Sequence, residues 1–142
     1  NLDGVFHVFQ AAARHMTERA AKGDAFGRLV ATSSMASLFG TARNEHYAAT
    51  KAAINALIRA LAVEQARYGI TANAILPGWI KSDMTEGLMA NDKFVANVMP
   101  RIPMRRFGEP SDFGGIAVYL MSKASSYHTA DMIVIDGGYT VF

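Results

Sequence analysis

The chain has 142 residues, of which 51% are hydrophobic and 18% charged, a composition typical of a globular chain with enough apolar material for one core. Its 14 Lys and Arg against 12 Asp and Glu give a net charge of +2 without a basic cluster, which argues against a nucleic-acid partner. The absence of cysteine excludes disulfides and Cys-containing zinc sites, and no apolar run approaches the roughly 18 residues of a membrane-spanning helix. We therefore expect a cytoplasmic protein that binds neither nucleic acid nor membrane.

The first half of the chain has the pattern of a helix, a strand and a second helix. Apolar residues recur at helical spacing over residues 2–21, and the apolar, β-branched run from Arg28 to Thr32 predicts a buried strand. From Glu45 to Gln65 the chain contains neither Pro nor Gly and has an apolar stripe at i, i+3, i+4 and i+7. This stretch predicts one helix, closed near Gly69.

The second half alternates in the same way but contains one long segment without clear periodicity. A strand is predicted from Ile70 to Leu76, ending at Pro77-Gly78. Residues 79–109, rich in Met and Pro, show no clear element. Pro110 is predicted to begin a helix that runs to about Met121, and residues 132–136 are predicted to form a last strand.

Strands that alternate with helices predict an α/β fold, in which parallel strands are joined by crossover helices. Ligands of such sheets bind beyond the carboxyl ends of the strands. The three predicted strands end in Ser33-Ser34, Pro77-Gly78 and Gly137-Gly138. Small and hydroxyl-bearing residues at these ends would allow a ligand to approach the backbone closely.

One pair of residues at the start of the second helix has chemical potential. Tyr47 and Lys51 are four residues apart and therefore neighbours on one helix face. An ammonium near a phenol favours the phenolate form, and such a phenol can act as a general acid or base. The hydroxyl of Ser34 can hold a carbonyl oxygen against it, which indicates carbonyl reduction or alcohol oxidation. The alternative is simple packing of the Tyr47 ring and the Lys51 stem, and the spacing alone does not exclude it.

Several stretches of the sequence occur together in the order found in one enzyme family. They are NLDGVF (residues 1–6), GRLVATSS (27–34), YAATK (47–51), ITANAILPGWIKSDM (70–84), RRFGEPSD (105–112) and IDGG (135–138). With the interval of 13 residues between Ser34 and Tyr47, this set resembles the short-chain dehydrogenases/reductases. The resemblance is greatest to the branch of 3-oxoacyl-carrier-protein reductases and small-alcohol and sugar dehydrogenases.

The resemblance implies that residues 1–142 are the C-terminal portion of a single Rossmann-type domain, with a doubly wound parallel sheet. The chain starts without Met inside a helix and has no G-x-G-x-x-G, which indicates a fragment whose nucleotide-binding half precedes residue 1. Within the family, residues 79–109 would form a lid over the substrate. Homo-oligomers, dimers or tetramers, would be expected.

The resemblance also assigns catalytic roles. Tyr47 would donate the proton to the substrate oxygen, and Lys51 would hold the ribose hydroxyls of the nicotinamide. Ser34 would orient the substrate carbonyl, whereas Ser33, one residue earlier, is the less favoured candidate. Asn1 matches an asparagine that helps to carry a water chain to the lysine.

The end of the second strand would hold the nicotinamide of NAD or NADP, between which the chain does not discriminate. Pro77 and Gly78 would let the backbone pass close to the ring, and the Ile80 backbone and the Ser82 hydroxyl match positions that bind its carboxamide. Trp79 would line the substrate pocket or, as the alternative, cover the end of the sheet.

The favoured hypothesis is thus an NAD(P)-dependent oxidoreductase that interconverts a secondary alcohol and a ketone, its small-molecule substrate. The alternatives are a non-catalytic relative that keeps the fold for binding or assembly, and an inactive fragment of the enzyme. The four histidines lack ligand spacing, so no metal site is expected. One departure from the family concerns Ala130, which stands where many members have a glycine in a tight turn.

Overall fold

A computed structural model describes all 142 residues of the chain. None of its helices is both long enough and apolar enough to cross a membrane. The strands are β1 (Gly27–Thr32), β2 (Ile70–Pro77) and β3 (Met132–Ile135). The α-helices are α1 (Leu2–Ala20), α2 (Glu45–Gln65), α3 (Glu86–Met89), α4 (Asp92–Val98) and α5 (Gly114–Met121).

The strands form one parallel sheet in the order β1-β2-β3, which confirms the predicted α/β architecture. In the register of the sheet, Leu29 pairs with Ala72 and Ala74 pairs with Met132. Because all three strands run in the same direction, their carboxyl ends lie along one edge, the place where parallel sheets bind ligands.

One face of the sheet is covered by α1 and α2. Alternate residues of a strand point to the same face, and those that point to this face are small or branched apolar residues. Burying them together with one side of each helix gives the main core of the molecule, since removal of apolar surface from water is the dominant favourable term in folding. The buried members of this core are Ala13, Leu29, Ala31, Ile54, Ile58, Leu61, Ala62, Ile70, Ala72, Ala74 and Leu76.

The opposite face is covered by α5 and the chain that follows it. Arg28, 6% exposed, points to this side and donates from Nε to the carbonyl oxygen of Ser122 at 3.0 Å. Burial lowers the pKa of its guanidinium. Leu120 of α5 is fully buried there. Helices therefore flank the sheet on both faces, which explains why β1 and β2 are buried runs rather than strands of alternating polarity.

The helices and strands with long apolar patterns lie within one or two residues of the predicted bounds, and the remaining segments differ. The segment 79–109, for which no element was predicted, contains α3 and α4. The single helix predicted from Pro110 is instead a 3-10 turn, Pro110–Phe113, followed by α5. The turn is capped reciprocally, because Glu109 accepts from the backbone of Asp112 and the Asp112 carboxylate accepts from the amide of Glu109.

The turn before β3 is retained although it contains alanine instead of glycine. Ala130 has φ +67°, in the left-handed region that L-residues rarely adopt. Its amide donates to the carbonyl oxygen of Ala72 at 2.8 Å. The fully buried Asn73 donates to the carbonyl of His128 at 2.9 Å and accepts from the amide of Asp131 at 3.1 Å. These bonds hold the turn in a conformation that alanine alone would disfavour.

Candidate active site

The carboxyl ends of the three strands meet at one edge of the sheet, as the sequence predicted. The amide of Ser33, just after β1, donates to Ile75 of β2 at 2.8 Å. The amide of Gly78, just after β2, donates to Ile135 of β3 at 2.9 Å. These backbone bonds bring the three strand ends side by side.

Tyr47 and Lys51 lie on the first turns of α2, and both are partly buried. The ammonium nitrogen of Lys51 is 5.6 Å from the centroid of the Tyr47 ring. It donates to the carbonyl oxygen of Thr32, at the end of β1, at 2.9 Å. Burial lowers the pKa of Lys51, because removal of water disfavours the charged form. Lys51 of the predicted pair therefore contacts the end of β1.

The two serines that follow β1 have different contacts. The hydroxyl of Ser33, 2% exposed, donates to the carbonyl oxygen of Lys51 at 2.9 Å. The hydroxyl oxygen of Ser34 accepts from the amide of Ala36 at 3.1 Å and caps the 3-10 turn Met35–Ser37. Its O–H makes no bond to a protein acceptor and is left to donate to a ligand. Only Ser34 therefore has the free donor that the predicted role requires.

The chain after β2 packs against the residue that follows β3 and then pairs with the chain near Gly108. A Cβ added to Gly78 would lie 2.6 Å from the Cα of Asp136, so only glycine fits between the two strands. Ile80 forms an isolated parallel bridge with Gly108. Ser82 is exposed, and its hydroxyl lies 3.2 Å from that of Thr85. Whether these residues hold a nicotinamide stays a prediction.

Substitution of Gly78 by alanine is expected to destabilise the fold by about 1–3 kcal/mol, because the new methyl group meets the backbone of Asp136. Thermal or urea unfolding measures this loss. The control is Gly4→Ala, since a Cβ at that position of α1 meets nothing within 4 Å. The explanation fails if Gly78→Ala is as stable as Gly4→Ala.

Trp79 belongs to a second apolar cluster at this edge of the sheet. Its ring packs edge-on against Phe94 of α4, with centroids 5.0 Å apart, and against Tyr139 at 6.4 Å. Its indole N–H is buried without a hydrogen-bond partner. These contacts agree with the alternative that Trp79 covers the sheet end, and contact with a substrate stays a prediction. The buried members of the cluster are Met35, Val98, Ile102, Phe107 and Tyr139.

Two ion pairs lie at the ends of the segment 79–109, the predicted lid. Arg106 makes a two-pronged bond with the Asp112 carboxylate, with nitrogen-to-oxygen distances of 2.7 and 2.8 Å. Lys81 pairs with Glu109 at 2.8 Å. The Arg106 guanidinium and the amide of Glu109 together lower the pKa of Asp112 to about 2. The pair between Lys81 and Glu109 thus joins the two ends of the segment 79–109.

The ion pair between Arg106 and Asp112 makes the free energy of unfolding depend on pH. The pKa of Asp112 is lower in the folded state, so its contribution is complete above the unfolded value of about 3.9 and is lost as pH falls toward about 2. In Asp112→Asn, we expect the stability difference from the native protein to shrink over that interval. Thermal unfolding between about pH 5 and pH 2 measures it. Asp83→Asn is the control, because Asp83 is exposed and forms no ion pair. A pH-independent difference for Asp112→Asn would contradict this account.

Two asparagines bear on the candidate site, one predicted from the sequence and the other not. Asn1 precedes α1, is exposed and makes no side-chain hydrogen bond to the other predicted site residues. Asn55, which was not predicted, follows Tyr47 and Lys51 on the same face of α2 and donates to the Ser37 hydroxyl at 2.8 Å. The spacing i, i+4, i+8 of these three polar residues was the available signal.

The strand ends have the properties that the nicotinamide side of a dinucleotide requires. The Ser34 O–H makes no bond to a protein acceptor, whereas the space beside Gly78 is taken up by Asp136. Lys51 uses one of its three donors on Thr32, which leaves two for ribose hydroxyls. The residues present therefore fit that part of such a cofactor.

Known proteins that are similar to this chain are numerous. A family model described as enoyl-(acyl carrier protein) reductase matches residues 1–140. The chain is 40% identical over 141 residues to 5-keto-D-gluconate 5-reductase of Escherichia coli K12, covering 99% of the chain and 54% of that protein. The chain spans about half the length of the curated relatives it matches.

Solved structures of similar proteins have the same fold as this chain. Gluconate 5-dehydrogenase from Burkholderia cenocepacia, in complex with NADP and tartrate, has a TM-score of 0.93 at 34% identity, covering 100% of the chain and 54% of that protein. A short-chain type dehydrogenase/reductase from Mycobacterium marinum has a TM-score of 0.87 at 39% identity, covering 99% and 53%. Together with the family model, these similarities show that the chain belongs to the short-chain dehydrogenase/reductase family.

Proposed function

We propose that the protein is an NAD(P)-dependent oxidoreductase that interconverts a secondary alcohol and a ketone by hydride transfer. The observation that carries this proposal is that Lys51, beside the Tyr47 ring on α2, bonds to the end of β1, just before Ser34 with its free O–H. The cofactor, when bound, supplies or accepts the hydride. The remaining chemistry is the handling of one proton on the substrate oxygen.

In the direction of reduction, the phenol of Tyr47 donates its proton to the oxygen of the ketone, and in oxidation the phenolate takes it back. The Ser34 hydroxyl donates a hydrogen bond to the same oxygen, which stabilises the charge that develops there. The Lys51 ammonium, 5.6 Å from the centroid of the Tyr47 ring, contributes positive charge beside the phenol. Because Lys51 is partly shielded from water, its field at the phenol is less screened than in solution.

The resemblance to the family supports a set of cofactor contacts. Two donors of Lys51 would hold the ribose hydroxyls, and the backbone at Pro77 and Gly78 would lie against the nicotinamide ring. The Ile80 backbone and the Ser82 hydroxyl would hold its carboxamide. Asn1 is assigned to the water chain that restores the proton to Lys51.

Polyhydroxylated acids are the substrate class that we propose. A reductase of 5-keto-D-gluconate and a dehydrogenase of gluconate are among the relatives, and both names describe oxidation or reduction at a secondary carbon of a sugar acid. Trp79 and the segment 79–109 would cover this substrate. Their Met and aromatic side chains can adapt to it, and water would be excluded when the segment closes.

A homo-oligomer, dimer or tetramer, is proposed as well. Phe6 and Val8 on α1 are 44% and 64% exposed, which is unfavourable for large apolar side chains facing water. A second copy that covers this helix would bury them. Light scattering after size-exclusion chromatography measures the mass of the assembly.

The direct test is a panel of sugar acids, sugars and simple secondary alcohols, with their ketones, incubated with the full-length protein and either NAD or NADP. We expect a change of absorbance at the nicotinamide band with at least one member of the panel. No turnover with either cofactor, by protein that is folded and binds NAD(P)H, would favour the non-catalytic relative. A folded protein that binds neither cofactor would reject the proposal altogether.

A further inference from the structure

The backbone around Ser34 is attached to α2 by a side-chain hydrogen bond on each side. Before it, the Ser33 hydroxyl donates to the carbonyl oxygen of Lys51 at 2.9 Å. After it, the hydroxyl of Ser37 accepts from the side-chain amide of Asn55 at 2.8 Å. Ser34 therefore lies between two attachments to the helix that carries Tyr47.

The attachment after Ser34 continues to Ser34 itself. The Ser37 hydroxyl donates to the carbonyl oxygen of Ser34 at 2.6 Å, and the Ser37 amide donates to the same oxygen at 3.1 Å. Since the single O–H of Ser37 is used in this way, its oxygen can only accept from Asn55. The sequence of bonds therefore runs in one direction, from the Asn55 amide through Ser37 to the backbone of Ser34.

Asn55 is not explained by stability alone. It is 5% exposed, and its carbonyl oxygen Oδ1 is buried without a hydrogen-bond partner. An unpaired buried acceptor is unfavourable, and an apolar side chain of similar size would avoid it. The one polar contact that Asn55 makes is the contact to the turn of Ser34.

We infer that Asn55, acting through Ser37, is a positioning residue that holds the Ser34 hydroxyl in register with the Tyr47 phenol. This inference rests on the proposed function, in which both groups bind one substrate oxygen. Tyr47 is fixed by α2, whereas Ser34 belongs to a short turn that follows β1. Without the bond from Asn55, side-chain hydrogen bonds to α2 remain only before Ser34, at Thr32 and Ser33, and the two groups can move relative to each other.

The test is Asn55→Leu in the full-length protein. A displacement of a reacting group by about 1 Å can cost about 100-fold in rate, so we expect kcat to fall by about 10- to 100-fold with KM little changed. The melting temperature should be unchanged or higher, because the unpaired Oδ1 is removed. Amide hydrogen exchange should show loss of protection at the Ser37 amide.

The matched control is Gln65→Leu. Gln65 is also a 5% exposed amide on α2, and its Oε1 accepts from Thr17 at 2.7 Å, far from the strand ends. This variant is expected to lose stability without a fall in kcat and without faster exchange at Ser37. The pattern for Asn55→Leu is the reverse, which a merely structural role would not produce.

A second variant, Ser37→Ala, tests whether the two residues act as one unit. Asn55→Leu and Ser37→Ala should each lower kcat, and the double variant should be no slower than the slower single variant. Additive effects, or a kcat for Asn55→Leu within about twofold of the native value, would overturn the inference. If the native protein has no activity, the proposed function fails, and unchanged exchange at Ser37 in Asn55→Leu then rejects the positioning role independently.

Discussion

Tyr47→Phe is expected to lower kcat by about 10²–10⁴-fold, because the only group lost is the hydroxyl that we propose as the general acid and base. The ring remains, and with it the packing of the first turns of α2 and the nearby Lys51 ammonium, 5.6 Å from the ring centroid. Cofactor affinity and melting temperature should therefore change little. Steady-state kinetics, titration with NAD(P)H and thermal unfolding measure these quantities.

The chain provides a matched control for this substitution in Tyr68. That tyrosine also has a cation over its ring, the Arg67 guanidinium at 4.8 Å, but it lies beyond the far end of α2. Tyr68→Phe is expected to leave kcat unchanged. An activity of Tyr47→Phe within severalfold of native would remove Tyr47 from the mechanism, whatever the control shows.

Lys51→Met is expected to weaken both cofactor binding and turnover. Charge-assisted hydrogen bonds contribute roughly 1.5–3 kcal/mol each, so loss of the ammonium should raise the cofactor Kd by about 10- to 100-fold. The rate should fall as well, since the positive charge beside the Tyr47 ring is lost. Fluorescence titration and kinetics at saturating cofactor separate the two effects.

The same variant has a pH signature in the absence of cofactor. Burial lowers the pKa of Lys51 in the folded state below its ordinary value of 10.5. The native protein therefore gains stability as pH rises from the pKa of the folded state to the pKa of the unfolded state. Lys51→Met lacks this gain and should be no less stable than native at neutral pH. Lys123→Met, at an exposed residue after α5, is the control. Unchanged cofactor affinity and rate in Lys51→Met would assign Lys51 to packing alone.

Elements with a long, uninterrupted pattern were predictable from the sequence. Helix α2 has the predicted bounds, Glu45–Gln65, because nothing within it breaks a helix. The helices α3 and α4 were not predicted, since four and seven residues are too few for a clear period. Their stability comes instead from contacts made in the folded chain, such as that of Phe94 with Trp79.

The candidate site was predictable to the extent that it is local. The pair Tyr47 and Lys51 follows from helical spacing, and the strand ends follow from parallel topology. The bond of Lys51 to Thr32 and that of Asn55 to Ser37 join residues 19 and 18 positions apart. Such bonds depend on how a turn docks against a helix, which no periodicity records. The roles of these residues in catalysis stay predictions until the variants are measured.

The left-handed turn at Ala130 bears on how freely this position can vary. An L-residue in that conformation costs roughly 1–2 kcal/mol, but alanine also restricts the unfolded chain, which offsets roughly 0.4–1 kcal/mol of that cost relative to glycine. The net difference is small beside the bonds that Asn73 makes to the turn. A lineage can therefore exchange glycine for alanine here as a nearly neutral change, provided that the buried asparagine is kept, and the identity of residue 130 carries little information about function.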